Sequence, residues 1–147
     1  MRGVLVTGPL VLLALLACGC GGARPSLEEA TRLLRDDGAA LSRLALPGKA
    51  VTLTRETSGC PAGTARGVYT LTGDLPQDSG AQAPAAVAST LAAEFHRMGY
   101  QEGESPQERF GLNVSVVRKE SLGIVFTVAL RSERPNVEIT GTTACAS

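Results

Sequence analysis

Two segments of the chain place apolar residues at the three- and four-residue intervals of an amphipathic helix. The first segment covers residues 27–46, and its apolar stripe consists of Leu27, Ala30, Leu34, Leu41 and Leu44. Ser26 precedes this stripe and Glu29 follows three residues later, which is the reciprocal capping pattern of a helix start. The second segment begins near Pro84, and its face consists of Val87, Leu91, Phe95 and Met98. Gly99 then predicts the end of the second helix.

The first helix contains one feature that argues against a continuous element. Asp37 falls on the apolar stripe and Gly38 follows it. Because glycine weakens a helix interior and a carboxylate is disfavoured on a buried face, we expect a kink or break at Asp36, Asp37 and Gly38. Pro47 and Gly48 predict where the element ends.

Five further segments alternate apolar and polar residues with the two-residue period of a half-buried strand. They cover residues 50–56, 67–73, 112–117, 124–130 and 137–143. In the first of them, Val51 and Leu53 alternate with Thr52 and Thr54. Residues 101–109 are polar and predict a connection without regular structure.

The predicted order of elements is α-β-β-α-β-β-β, which indicates the α+β class. Strands joined by short turns are antiparallel neighbours, and two amphipathic helices can cover one face of the sheet that they form. The sequence therefore predicts two helices packed on one face of a mainly antiparallel five-stranded sheet. Residues 26–147 form this single domain, after residues 1–17 and a Gly-rich tether over residues 18–25.

The first seventeen residues have the pattern of a secretory signal peptide. Arg2 gives a positive start, and an apolar run of about 14 residues follows, which is shorter than the roughly 20 that a spanning helix needs. Leu15, Leu16, Ala17 and Cys18 end the run, and they resemble the lipobox of bacterial prolipoproteins. The resemblance implies cleavage before Cys18 and a diacylglyceryl thioether on its sulfur. Cys20 is the alternative acceptor, although Ala17 rather than a branched residue lies three positions before it.

The two remaining cysteines, Cys60 and Cys145, lie in the domain. Two lone thiols in a small exported domain favour a disulfide, since oxidation is the rule outside the cytoplasm. Two alternatives are a catalytic Cys60 assisted by His96, and a metal site formed by Cys60, Cys145 and His96. Neither has the expected residue pattern, because zinc sites commonly use closely spaced ligand pairs and a thiol nucleophile must be reduced.

Composition narrows the chemistry further. The chain carries 14 acidic and 14 basic residues, and only Arg2 of these lies before Cys18, so the mature side-chain charge is −1. This balance, with no Trp and few aromatic residues, gives no reason to expect nucleic acid as a partner. No nucleophile elbow, P-loop, dinucleotide fingerprint or H-E-x-x-H motif is present, so we assign no catalytic, cofactor-binding or metal-binding residue.

The mature domain also resembles a group of small actinobacterial lipoproteins that have no assigned activity. The matching residues are Cys60 after the first strand, Gly99 and Tyr100 after the second helix, and Thr142, Thr143, Ala144 and Cys145 at the end. This resemblance implies no activity, and the expected address on the outer face of the cell membrane follows from the lipobox.

We therefore expect a lipid-anchored extracytoplasmic binding or interaction module whose partner is an envelope protein or a small ligand. The alternative hypothesis is a small cell-envelope enzyme that uses acidic residues, such as Asp36 and Asp37, or His96. A deep pocket with convergent polar groups around those residues would favour the enzyme.

Overall fold

The computed structural model describes residues 22–103 and 113–147 of the chain. Its two α-helices are α1, Leu27–Leu41, and α2, Ala83–Arg97. Its six strands are β1 (Ala50–Glu56), β2 (Arg66–Gly73), β3 (Gln101–Glu102), β4 (Asn113–Lys119), β5 (Ile124–Leu130) and β6 (Val137–Thr143). The predicted signal peptide, with Cys18 and Cys20, lies outside the described residues.

All strand pairs are antiparallel, and the sheet order is β1-β2-β6-β5-β4-β3. The last strand, β6, therefore lies in the middle of the sheet, where it pairs with β2 on one side and β5 on the other. This position brings the C-terminal end of the chain beside the loop that joins β1 to β2, and an isolated bridge between Ala65 and Ala146 extends the pairing there. The α+β class with two helices and an antiparallel sheet is confirmed.

The prediction of five strands was wrong, because the sheet has six. The additional strand is β3, in which Gln101 and Glu102 pair with Arg118 and Val117 of β4. The Gly103 N–H donates to the Val116 carbonyl at 2.7 Å and continues this pairing. Two consecutive polar residues show no alternation of apolar and polar positions, so their sequence does not predict a strand. They form one because they pair with the open edge of β4.

The helices both pack on the face of the sheet that carries its large apolar side chains. The residues of this core with no exposed surface at all are Leu34, Leu41, Leu71, Ile124, Phe126, Val137 and Ile139. Alternation along β5 and β6 produces this face, since every second residue of those strands is buried. Helix α1 lies over β2 and β6, and α2 lies over β4 and β5.

Helix α1 is unbroken through Gly38, so the predicted kink at Asp36, Asp37 and Gly38 was wrong. The ring of Tyr69 packs directly against the Gly38 backbone, and its hydroxyl donates to the Gly38 carbonyl at 2.8 Å. The Asp37 carboxylate accepts a hydrogen bond from the Tyr100 hydroxyl at 2.8 Å. Asp37 and Gly38, which are unfavourable residues for a helix interior, therefore both make tertiary contacts, and the continuous helix α1 holds them in place for these contacts.

Helix α1 also ends earlier than its apolar stripe predicts. Ser42 is its C-cap, and the Ser42 N–H donates to the Gly38 carbonyl at 2.9 Å. Leu46 nevertheless reaches the core through the turn that follows. The Lys49 ammonium donates hydrogen bonds to the carbonyls of Ser42 and Leu44. These carbonyls would otherwise be bonded by the N–H groups of a further helical turn.

The first strand differs from its predicted half-buried state. All of β1 except Glu56 is exposed, and Val51 and Leu53 keep 49% and 40% of their surface in contact with solvent. These two side chains pair with Leu71 and Tyr69 and lie on the helix side of the sheet. Helix α1 covers β2 and β6, and β1 lies at the edge of the sheet. No helix in the described residues therefore covers the face of β1 that the alternation predicts to be buried.

Replacing Gly38 with alanine is expected to destabilise the protein by about 1–3 kcal/mol. Glycine-to-alanine changes inside a helix usually stabilise by about 1 kcal/mol, but a methyl group here would lie 2.6 Å from Cζ of Tyr69. The free energy of unfolding in urea measures the effect. Ala39→Gly, at the exposed neighbouring position, is the control and should cost about 1 kcal/mol from helix propensity alone. A stabilised Gly38→Ala variant would contradict the packing of Tyr69 against α1.

Within residues 22–103 and 113–147, no helix combines the length and the apolarity that crossing a bilayer requires.

Candidate functional site

A cavity of about 620 Å³ lies between α2 and the strands β3, β4 and β5. Its volume falls within the range of about 300–1,000 Å³ that is usual for small-molecule sites. The residues that line it are Ala88, Leu91, Ala92, Phe95, His96, Tyr100, Gln101, Glu102, Gly103, Ser115, Val116, Val117, Val128 and Leu130.

The sequence of α2 explains why space remains beneath it. Leu91 and Phe95 are buried against the sheet, whereas Ala88 and Ala92 flank them on the side toward the cavity. An alanine side chain does not reach across the distance of about 10 Å that separates packed layers. Ser115 and Val117 on the opposing strand are also small. The cavity is therefore a place where small side chains of α2 face small side chains of β4.

The floor of the cavity is apolar and partly aromatic. Phe95 and Tyr100 pack with their rings nearly perpendicular at a centroid distance of 5.6 Å, and Leu91, Val128 and Leu130 complete the floor. The Tyr100 hydroxyl is the polar group among these side chains, and it donates its proton to the Asp37 carboxylate. Burial and this hydrogen bond raise the pKa of Tyr100 well above its ordinary range. The floor therefore consists of hydrocarbon groups and aromatic ring edges, and the proton of the Tyr100 hydroxyl is engaged by Asp37.

Polar side chains gather at the end of the cavity beside the C-terminus of α2. The exposed side chains of His96 and Glu102 lie there, whereas Gln101, which borders the same end, pairs with Arg118 and directs its side chain to the other face of the sheet. Gly99 has a φ of 84°, a left-handed conformation that turns the chain directly after the helix and places Tyr100 beneath it. The Lys119 ammonium donates to the Met98 carbonyl at 2.8 Å and lies 5.4 Å from the centroid of the Tyr100 ring. The Lys119 ammonium therefore caps the C-terminal end of α2 beside the cavity.

The predicted carboxylate pair does not converge on a common point. Asp36 is exposed and lies 3.5 Å from Arg32 and 3.6 Å from Arg35. Asp37 points the other way, to the Tyr100 hydroxyl. Asp36 therefore takes part in surface ion pairs, and Asp37 positions a ring of the cavity floor.

His96 lies at the rim of the cavity, in the last turn of α2. Glu94 is engaged by Arg97, which makes two hydrogen bonds to its carboxylate. That contact holds the pKa of Glu94 below its ordinary value. Among the described residues, no carboxylate or hydroxyl forms a hydrogen bond with the His96 ring. His96 is therefore an exposed polar group at the rim of the cavity.

Cys60 and Cys145 are joined in a disulfide, with their Cα atoms 5.6 Å apart. Cys60 lies in the loop between β1 and β2, and Cys145 follows β6, so the bond ties that loop to the end of the central strand. The alternatives of a Cys60 nucleophile and of a metal site with His96 require reduced thiols, which this bond consumes. No group of three or more metal-binding side chains occurs in the described part of the chain.

Sequence reasoning identified His96 as a candidate but missed the cavity that it borders. The informative signal was the abundance of alanine in the second helix, since small residues on a core-facing side leave space. Tyr100 and Ser115 carried no such signal, because their positions in the cavity depend on the pairing of β4 with β3 and with β5.

The two tyrosines of the chain should resist ionisation as long as the protein is folded. Tyr69 and Tyr100 are both buried and both donate a hydrogen bond, and burial raises the pKa of each. Because the folded state holds the two hydroxyl protons more tightly, protonated Tyr69 and Tyr100 stabilise the fold fully below the unfolded pKa of about 10. This stabilisation declines as the pH rises above that value.

Ultraviolet absorbance should show no tyrosinate near pH ~10 until circular dichroism reports unfolding. Ionisation of either ring near pH ~10 in a protein that keeps its circular dichroism would contradict this burial. The chain in concentrated urea is the control.

The sequence matches no protein-family model, and no curated protein is significantly similar to it. Among solved structures, the chain is similar to the crystal structure of a protein described as a lipoprotein, LppA from Mycobacterium tuberculosis. The superposition has a TM-score of 0.52 at 16% sequence identity, and it covers 83% of this chain and 78% of that chain. At this identity the similarity concerns the backbone architecture, so the chain shares the fold of that protein.

Proposed function

We propose that this chain is a binding protein of the bacterial envelope, held on the extracytoplasmic face of the membrane by a lipid and binding a small ligand in the cavity beneath α2. The observation that carries the proposal is the cavity itself. Its described lining has an apolar floor, exposed polar side chains at the end beside the C-terminus of α2 and the hydroxyl of Ser115, and its volume is about 620 Å³. Concave, largely apolar sites with a few polar groups are the usual form of a small-ligand site.

The proposed address depends on a separate observation, the lipobox pattern that ends at Cys18. The shared fold with a protein described as a lipoprotein supports it. Two or more acyl chains give stable attachment where one chain gives only marginal binding. The disulfide between Cys60 and Cys145 agrees with an oxidising compartment.

The anchor can be tested with labelled palmitate in the native host. Cys18→Ala is expected to abolish incorporation of the label and to release the protein from the membrane fraction, because it removes the thiol that accepts lipid. Cys20→Ala, two positions away, is the matched control and should keep both. Loss of label only in Cys20→Ala would move the anchor to Cys20, and unlabelled wild-type protein would refute lipidation.

The binding site can be tested by filling its opening. Ala92 and Ala93 are adjacent, exposed alanines of α2, but Ala92 lines the cavity and Ala93 does not. We expect Ala92→Trp to abolish retention of small molecules when the full chain is released from membranes and studied by native mass spectrometry. Ala93→Trp should retain them as the wild type does. Identical spectra for the two variants would show that the retained molecules are not bound in this cavity.

A further inference from the structure

We infer that the ligand of the α2 cavity is an amphiphile with one hydrocarbon chain, such as the chain of an envelope lipid, whose hydrogen-bonding end group lies at the rim beside His96 and Glu102. This inference rests on the proposed function, since it names the chemistry of the ligand for the same site. It goes beyond that function because a cavity of this size could be built for a compact polar molecule instead.

The shape of the cavity fits a chain. The residues that α2 contributes are Ala88, Leu91, Ala92, Phe95 and His96. They are spaced i, i+3, i+4, i+7 and i+8, so the cavity follows a single face of the helix over about 12 Å. On the sheet side, Val128 and Leu130 at the C-terminal end of β5 line the same cavity. A site that follows one helix face over this length can accommodate an extended hydrocarbon chain.

The chemistry of the cavity is different at its two ends. Among the described residues, the lining toward the Ala88 end is formed mainly by aliphatic groups, with Leu91 and Leu130 buried, together with the hydroxyl of Ser115. At the opposite end the side chains of His96 and Glu102 are exposed and provide hydrogen-bonding groups. A molecule that is apolar over most of its length and polar at one end matches this distribution.

A polar ligand would be penalised by the same floor. Leu91, Phe95 and Val128 cannot hydrogen-bond, and the Tyr100 hydroxyl proton is held by Asp37 at 2.8 Å. Transferring a hydroxyl or amide from water to such surroundings without a partner costs about 1–3 kcal/mol per group. A hydrocarbon chain has no such cost and gains about 0.8 kcal/mol for each methylene that it buries. The lining therefore selects for hydrocarbon.

The proposed anchor places the site within reach of such ligands. Nine peptide steps separate Cys18 from Leu27, the first residue of α1, and an extended chain of that length spans at most about 30 Å. The domain is thereby kept close to a bilayer, where single hydrocarbon chains and their end groups are abundant.

The experiment compares two photoreactive probes on the full chain in membranes of the native host. One probe is a long-chain fatty acid with a diazirine in mid-chain, and the other is a glucoside with a diazirine and no hydrocarbon chain. The fatty-acid probe is expected to label peptides that contain residues 88–96 or 115–117 in the wild type and in Ala93→Trp. Labelling of these peptides should fall at least about tenfold in Ala92→Trp, as expected for an occupied opening.

The outcomes separate this inference from the proposed function. Ala92-sensitive labelling by the glucoside and not by the fatty acid would overturn the hydrocarbon ligand while leaving a binding site in the cavity. Labelling by the fatty acid that is equal in Ala92→Trp and Ala93→Trp would place the chain elsewhere and overturn both proposals. Absence of label in the cavity peptides with either probe would also overturn both. Unchanged thermal unfolding of the two Trp variants shows that their folds are intact.

Discussion

Replacing Phe126 with alanine is expected to lower the free energy of unfolding by about 4 kcal/mol, which is a large part of the roughly 5–15 kcal/mol that stabilises a small domain. Phe126 is fully buried in β5. Its ring centroid lies 5.3 Å from that of Phe95 in α2, 5.4 Å from that of Tyr100 and 6.3 Å from that of Tyr69. Tyr69 in turn contacts α1, so the ring of Phe126 connects both helices to the sheet. Urea unfolding measures the loss.

Val125→Ala is the matched control for this prediction. Val125 is the neighbour of Phe126 on β5, but it is only half-buried and its side chain lies on the face away from the helices. Its truncation should cost less than about 1.5 kcal/mol, because part of its surface is already in water. Equal losses for Phe126→Ala and Val125→Ala would mean that the aromatic cluster is not the main packing contact between the layers.

Removing the disulfide is expected to have an effect of similar size. Cys60 and Cys145 are 85 residues apart in sequence, and the chain-entropy model gives about 4.5 kcal/mol for a loop of that length. This is an upper value, since measured effects are often smaller. The double variant Cys60→Ala and Cys145→Ala should therefore unfold at a distinctly lower urea concentration than the oxidised protein. Hydrogen exchange should increase most in the β1–β2 loop and after β6, the two segments that the bond joins.

Reduction provides the internal control for the disulfide. A thiol reductant should lower the stability of the wild-type protein to that of the double variant, while the double variant itself should not respond. A double variant as stable as the oxidised wild type would show that the β2–β6 pairing and the Ala65–Ala146 bridge hold the C-terminus without the bond.

The periodicity of the sequence determined most of the secondary structure and the layer arrangement. Apolar spacing indicated both helices, and two-residue alternation indicated five of the six strands, because burial on one face forces apolar residues to repeat with the geometry of the element. The cysteine count likewise indicated the Cys60–Cys145 bond. These features depend on residue types alone, so they can be identified without knowing which elements are neighbours.

Tertiary contacts decided the rest. The continuity of α1 depends on Tyr69 and Tyr100, which lie 31 and 63 residues away from Gly38 and Asp37. The exposure of Val51 and Leu53 depends on β1 being at the sheet edge, and β3 exists because β4 offers unpaired backbone groups. The cavity depends on the same placement, since it forms only where the alanines of α2 lie opposite Ser115 and Val117. Sequence patterns report how strongly each residue prefers burial, but the identity of the group that covers it is a property of the three-dimensional packing.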